Sequence, residues 1–157
     1  MLYFLEPEVA GELGENTVIE NFDNVRLKGE RAKVIHLHYQ FTGWLGDEIL
    51  ECTPCFIVTD ELSKVIQEST LNGYTFQDVE VSVSDEFTEI YPNIKLPNFK
   101  RIVPEGLVEV VGENYKGWSG HDFCISQKSY LVISEEALKI LKSHKVDYCD
   151  ITQLKEM

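Results

Sequence analysis

The sequence predicts an α+β fold in one domain, 1–157, with mostly antiparallel strands and two helices. Three observations predict it. Several short segments alternate apolar and polar residues at period two, and two stretches carry apolar residues at helical spacing behind a capping residue. No low-complexity tract, linker or charge block divides the 157 residues. Hydrophobic residues make up 43% and aromatics 11%, enough for a substantial core and too much for a disordered chain.

Met1 to Asn24 reads as irregular, punctuated by Gly11 and Gly14, with a turn at Glu15-Asn16. Lys33 to Phe41 alternates as a half-buried strand: Ile35, Leu37, Tyr39 and Phe41 point one way, and His36, His38 and Gln40 the other. Gly43 and Gly46 set a turn around Trp44. Phe56-Ile57-Val58 is a short strand, and Thr59 caps a helix with Asp60 and Glu61 in its first turn, where acids oppose the positive end of the helix dipole. Leu62, Val65 and Ile66 form its buried stripe, and it ends near Asn72-Gly73. In the next strand Val79, Val81 and Val83 alternate with Asp78, Glu80 and Ser82, so the valines are expected to face inward.

The same strand-helix-strand unit recurs 75 residues on. Tyr130 to Ile133 is the strand, Ser134 the cap, Glu135 and Glu136 the acids of the first turn, and Ala137, Leu138 and Leu141 the stripe, with Val146 to Leu154 returning. Thr59 matches Ser134, Val65 matches Ile140, Leu71 matches Val146 and Phe76 matches Ile151 without a gap. Between the copies, Asn98 to Val103 and Gly106 to Val111 read as strands, with a turn at Val111 to Asn114.

Lys and Arg number 14 against 27 Asp and Glu, a formal net charge of −13. That charge repels nucleic acid and anionic membrane surfaces, and it suits a basic protein partner whose approach it would accelerate. No apolar run reaches the roughly 18 residues needed to span a membrane, and Met1 to Glu8 lacks a basic leader, so a cytoplasmic location is expected.

Cys52-Thr-Pro-Cys55 has the spacing of a redox pair, but Phe56, Ile57 and Val58 follow it, so the second thiol leads into a strand and lacks a helix dipole. Cys124 and Cys149 are 25 positions apart and do not supply a second pair for zinc, so all four cysteines are expected to be free thiols in or near the core. His36 and His38 share the solvated face of a strand, and His121-Asp122 lies far off in the chain. Ser119, between Trp118 and Gly120, does not fit the G-x-S-x-G pattern of a nucleophile elbow, and Gly11 and Gly14 do not form a phosphate loop. Neither catalytic residues nor a metal, cofactor or small-molecule substrate is expected.

Glu6-Pro-Glu-Val-Ala-Gly-Glu-Leu-Gly-Glu-Asn-Thr17 is similar to the opening of a family of bacterial immunity proteins, encoded beside polymorphic toxins and formerly a domain of unknown function. Cys55-Phe-Ile-Val-Thr-Asp-Glu-Leu62, Leu71-Asn-Gly-Tyr-Thr-Phe76 and Gly117-Trp-Ser-Gly-His-Asp-Phe123 extend the resemblance over most of the chain. The cysteines and His121 depart from the family pattern. The resemblance implies a non-catalytic protein that binds and neutralises a cognate toxin, one acting inside cells with a basic surface, such as a nuclease.

The expected partner surface is Asp78, Glu80, Asp85, Glu86 and Glu89 with Tyr91 beside them, carboxylates for steering and an aromatic for burial. The amino-terminal acids Glu6, Glu8, Glu12 and Glu15 are the alternative surface. The competing readings are a small metal- or thiol-dependent enzyme using Cys52, Cys55 and the histidines, and an adaptor domain with another partner.

Overall fold

Short alternating runs broken by glycine, proline and asparagine make short strands. The computed structural model, which describes residues 1–157, has fifteen of them with four helices. The amino-terminal part holds β1 (Leu2–Glu6), β2 (Gly11–Leu13), β3 (Val18–Ile19), α1 (Phe22–Lys28), β4 (Val34–His36) and β5 (His38–Phe41). The middle holds β6 (Ile49–Cys52), β7 (Cys55–Thr59), α2 (Asp60–Glu68), β8 (Tyr74–Gln77), β9 (Glu80–Val83) and α3 (Asp85–Ile90). The remainder is β10 (Phe99–Pro104), β11 (Gly106–Val111), β12 (Asn114–Lys116), β13 (Phe123–Ser126), β14 (Leu131–Ser134), α4 (Glu135–Lys142) and β15 (Asp150–Glu156). The class is α+β, and most strand pairs are antiparallel; β5–β9, β11–β13 and β12–β15 are parallel.

Both expected caps form. The Thr59 hydroxyl accepts the Leu62 amide and the Ser134 hydroxyl accepts the Ala137 amide, each at 3.2 Å. Leu62 and Ile66 of α2 and Ala137, Leu138 and Leu141 of α4 are buried. Helix α2 stops at Glu68, short of Asn72-Gly73, because Ser69 turns to extended backbone; Gly73, at φ +85°, then makes the turn into β8.

The 75-residue register extends into the strand pairing. The array β6-β7-β10-β8 repeats in order as β13-β14-β1-β15. Within the first, Ile102 of β10 lies between Phe56 and Phe76. Within the second, Leu5 of β1 lies between Leu131 and Ile151, the residues 75 positions further on. In each, the strands entering and leaving the helix run parallel with one antiparallel strand between them, a split β-α-β crossover. The second array continues through β11 and β12 and closes as a six-stranded barrel, whereas the first stays open.

One core of 13 buried residues joins the helix-bearing faces of both arrays; Phe56, Val58 and Ile102 meet Leu5, Leu131 and Ile133 through the stripes of α2 and α4. Behind the second array, the barrel interior is filled by Leu2, Val108, Val110, Tyr115, Val132 and Leu154. Behind the first array, a separate core lies under the sheet β2-β5-β9 and α3, with Tyr39, Phe41, Ile57, Phe87 and Phe99 at its centre.

Four expectations are corrected. There are four helices, not two: α1 begins within the amino-terminal region read as irregular and runs on to Lys28, and α3 follows β9 and carries Asp85, Glu86 and Glu89. Met1 to Asn24 also holds three strands, and β1 escapes the alternation test because Leu2 and Leu5 are buried on opposite faces. The strand from Lys33 to Phe41 breaks at Leu37, where the chain changes partners from β3 to β2 and β9; Ile35 becomes exposed and His38 buried. The valines of β9 do not face inward, since Val81 and Val83 are exposed while Glu80 and Ser82 are the half-buried pair. No helix is long and apolar enough to cross a membrane.

Because α2 and α4 share one core, Ile66→Ala and Leu141→Ala should each cost about 2–5 kcal/mol in urea unfolding, the usual cost of a cavity at such a site. A loss well under 1 kcal/mol for both would contradict the shared core.

Candidate functional site

The strand β9 and the helix α3 that follows it carry the expected surface, and the structure divides its members. Asp78, fully exposed, faces Lys100 at 3.6 Å. Glu80 points toward the histidines: its Oε1 lies 2.9 Å from His36 Nε2, and its Oε2 accepts from Asn16 Nδ2 at 2.8 Å. Those two hydrogen bonds hold its carboxyl below the ordinary range. His38 Nδ1 accepts the Asn16 amide, so Nε2 carries the proton and donates to Ser82 Oγ at 2.6 Å. The His38 ring packs where a side chain on Gly14 would stand, which makes that position specific for glycine. Glu80 is therefore engaged within the chain and is not part of an open acidic patch.

The other four members stay together, Asp85, Glu86 and Glu89 on α3 and Tyr91 at its carboxy-terminal cap. Ser84 caps it by accepting the Phe87 amide at 3.1 Å, and Asp85 and Glu86 occupy the first turn. Phe87 is buried against Phe41, with Tyr91 half-buried on its ring at 5.1 Å. Asp85, Glu86 and Glu89 are exposed, and none has an ion-pair partner within 4.0 Å.

Exposed apolar residues flank these acids along the chain. Val81 and Val83 on β9, an edge strand, and Ile90 and Ile94 beyond it are all exposed. A groove of about 420 Å³ lies beside them, lined by Val79, Val81, Leu96, Pro97 and Phe99 with Asp60 and Lys100 at its rim. Unpaired carboxylates around exposed apolar side chains make a surface that can dock a protein with complementary charge. Sequence reasoning missed the apolar half because alternation cannot say which face of an edge strand is covered.

Compared with protein-family models, curated proteins and solved structures, the chain matches none.

The cysteines are free thiols, three buried and Cys149 half-buried. Cys52 and Cys55 face each other across the β6–β7 hairpin. Burial pushes the Cys52 thiol up to about 12, with Cys55 and nearby carboxylates adding to the shift, and burial also raises Cys55. Both are protonated at neutral pH, opposite to what a reactive thiolate needs.

Several acids serve the fold instead of the surface. Glu8, proposed for the alternative surface, is buried and accepts the Leu45 amide at 2.7 Å and the Asp47 amide at 3.3 Å. Asp47 accepts the Tyr148 amide at 2.8 Å. Glu48 accepts from the Thr59 hydroxyl at 2.9 Å and the Lys145 amide at 3.0 Å, with His144 Nδ1 at 3.1 Å. Asp47 and Glu48 tie the loop between β5 and β6 to the segment after α4, and Glu8 ties the same loop to the segment after β1. Burial raises Glu8 and Asp47; it also pushes Glu48 up, but the Lys145 amide, Thr59 and His144 together bring it below its ordinary value. Glu51 is raised to about 7 by burial and then by Glu6.

A carboxyl raised on folding binds its proton more tightly in the folded state, so stability rises as pH falls through its folded value. Between pH 8 and pH 5 Glu51 should therefore contribute increasing stability, while the contribution of Glu48 is lost only in acid. Glu51→Gln should raise the melting temperature at pH 8, and the gain should shrink steadily toward pH 5. A gain that is constant with pH would show that Glu51 is not ionised against a burial cost.

Proposed function

We propose that this chain is a non-catalytic immunity protein of the bacterial cytoplasm that binds and neutralises a cognate protein toxin, one with a basic surface such as a nuclease. The observation that carries this reading is α3: Asp85, Glu86 and Glu89 stand exposed and unpaired on a helix anchored by Phe87, beside the exposed Val81, Val83, Ile90 and Ile94. The net charge of −13 and the resemblance of the Glu6 to Thr17 segment support it. Carboxylates free of internal partners attract a basic cleft during approach, and the apolar rim supplies burial once the partners meet. The protonated state of Cys52 and Cys55 disfavours the thiol-enzyme alternative.

The test is the triple variant Asp85→Asn, Glu86→Gln, Glu89→Gln against the cognate toxin. Association should slow by about 10-fold or more at low salt, with a flatter salt dependence. Val83→Asp with Ile90→Asp should instead speed dissociation. Unchanged kinetics in both well-folded variants would remove this surface from the interface. Protection of cells from the toxin should survive Cys52→Ser with Cys55→Ser, and its loss in a folded double variant would make the thiols functional.

A further inference from the structure

The two matched arrays differ sharply at one place. On the face of the second array that points away from the helices, Phe4 of β1 lies beside Val132 and Thr152 and stacks on Tyr130 at 4.5 Å between ring centroids. The equivalent positions in the first array, reached through Ile57 and Gln77, are Arg101 and Cys55. Where one half has two stacked rings, the other has a guanidinium and a thiol, and a cavity of about 330 Å³. The fold does not require a charge there, since an aromatic ring fills the same position in the other half.

Arg101 is 8% exposed. Its Nη1 donates to the Val34 carbonyl at 2.7 Å and to Gln77 Oε1 at 3.3 Å, both neutral acceptors, and its buried Nε has no partner. In a chain with 27 acidic residues, none pairs with it. A buried cation without a counter-charge is costly, and evolution or design normally removes or pairs it. The cavity wall adds two more cations at its exposed mouth, Arg31, whose Nη1 donates to the Ser126 carbonyl at 3.0 Å, and Lys33, which faces Glu20 at 3.1 Å. The cavity lining thus holds three cationic side chains and no carboxylate, in a protein rich in acids, and one of the three guanidinium and ammonium groups, Arg101, is buried without a counter-charge. The cavity's size lies at the small end of ligand pockets, which typically begin at roughly 300 Å³.

We propose that this cavity is a binding site for a small free oxyanion, a carboxylate or phosphate group held by Arg101 with Arg31 and Lys33 around the mouth. A planar guanidinium suits both groups because it can donate two parallel hydrogen bonds. The ligand is bound, not transformed, and the site is separate from α3.

Titration with inorganic phosphate and with acetate, at ionic strength held constant with chloride, tests this through the Arg side-chain Nε–H signals in ¹H–¹⁵N spectra and through the melting temperature. One Arg signal, absent in Arg101→Met, should shift saturably with at least one of the two anions, with 1:1 stoichiometry. Arg101→Met should weaken binding by about 10- to 100-fold, the usual loss for a charged hydrogen bond. Arg31→Gln with Lys33→Gln, exposed changes that leave the core intact, should weaken it by several-fold, which keeps the test valid if Arg101→Met fails to fold. No saturable shift with either anion up to tens of millimolar, or an undiminished response in these variants, would overturn the proposal.

Discussion

Everything in this fold depends on burying the apolar stripes of two short helices against each other and two sheets at once. Helices of eight or nine residues do not hold together in water by propensity. Each is stabilised only when Leu62 and Ile66, or Leu138 and Leu141, leave water. The core achieves this by bringing the helix-bearing faces of both arrays together around α2 and α4. Because β1 is the middle strand of the second array, the amino terminus is built into this core next to the carboxy-terminal strand β15.

The two arrays share this face and diverge on the other. Behind the second, β11 and β12 close a barrel whose interior is filled. Behind the first, a separate three-stranded sheet and α3 cover the core and leave an edge strand, an apolar groove and the Arg101 cavity. The half that stays open carries both proposed binding features, and the closed half shows what its equivalent positions look like without them.

Helices α2 and α4 and their caps were legible because Thr59 and Ser134 sit directly between an apolar strand and an acidic first turn, a purely local signal. The repeat was legible for the same reason, and pairing bears it out through Phe76 and Ile151. The location of β1 was hidden, since a strand buried on both faces shows no alternation. The orientation of β9 was hidden too, because its valines read the same whether the covering layer lies on one side or the other. Glu80 looked like its acidic neighbours in sequence, yet Asn16 and His36 reach it from 64 and 44 residues away. Arg101 gave no local signal at all; its burial without a counter-charge and its match to Phe4 in the other array emerge only in the fold.

Native-state hydrogen exchange tests the shared core most directly. If one core holds both arrays, the slowest amides of β1 and β14 should open with the same free energy as those of β7 and β10, equal to that of global unfolding, and with the same denaturant dependence. Protection in β1 and β14 lost through a separate opening several kcal/mol below that of β7 and β10 would contradict it.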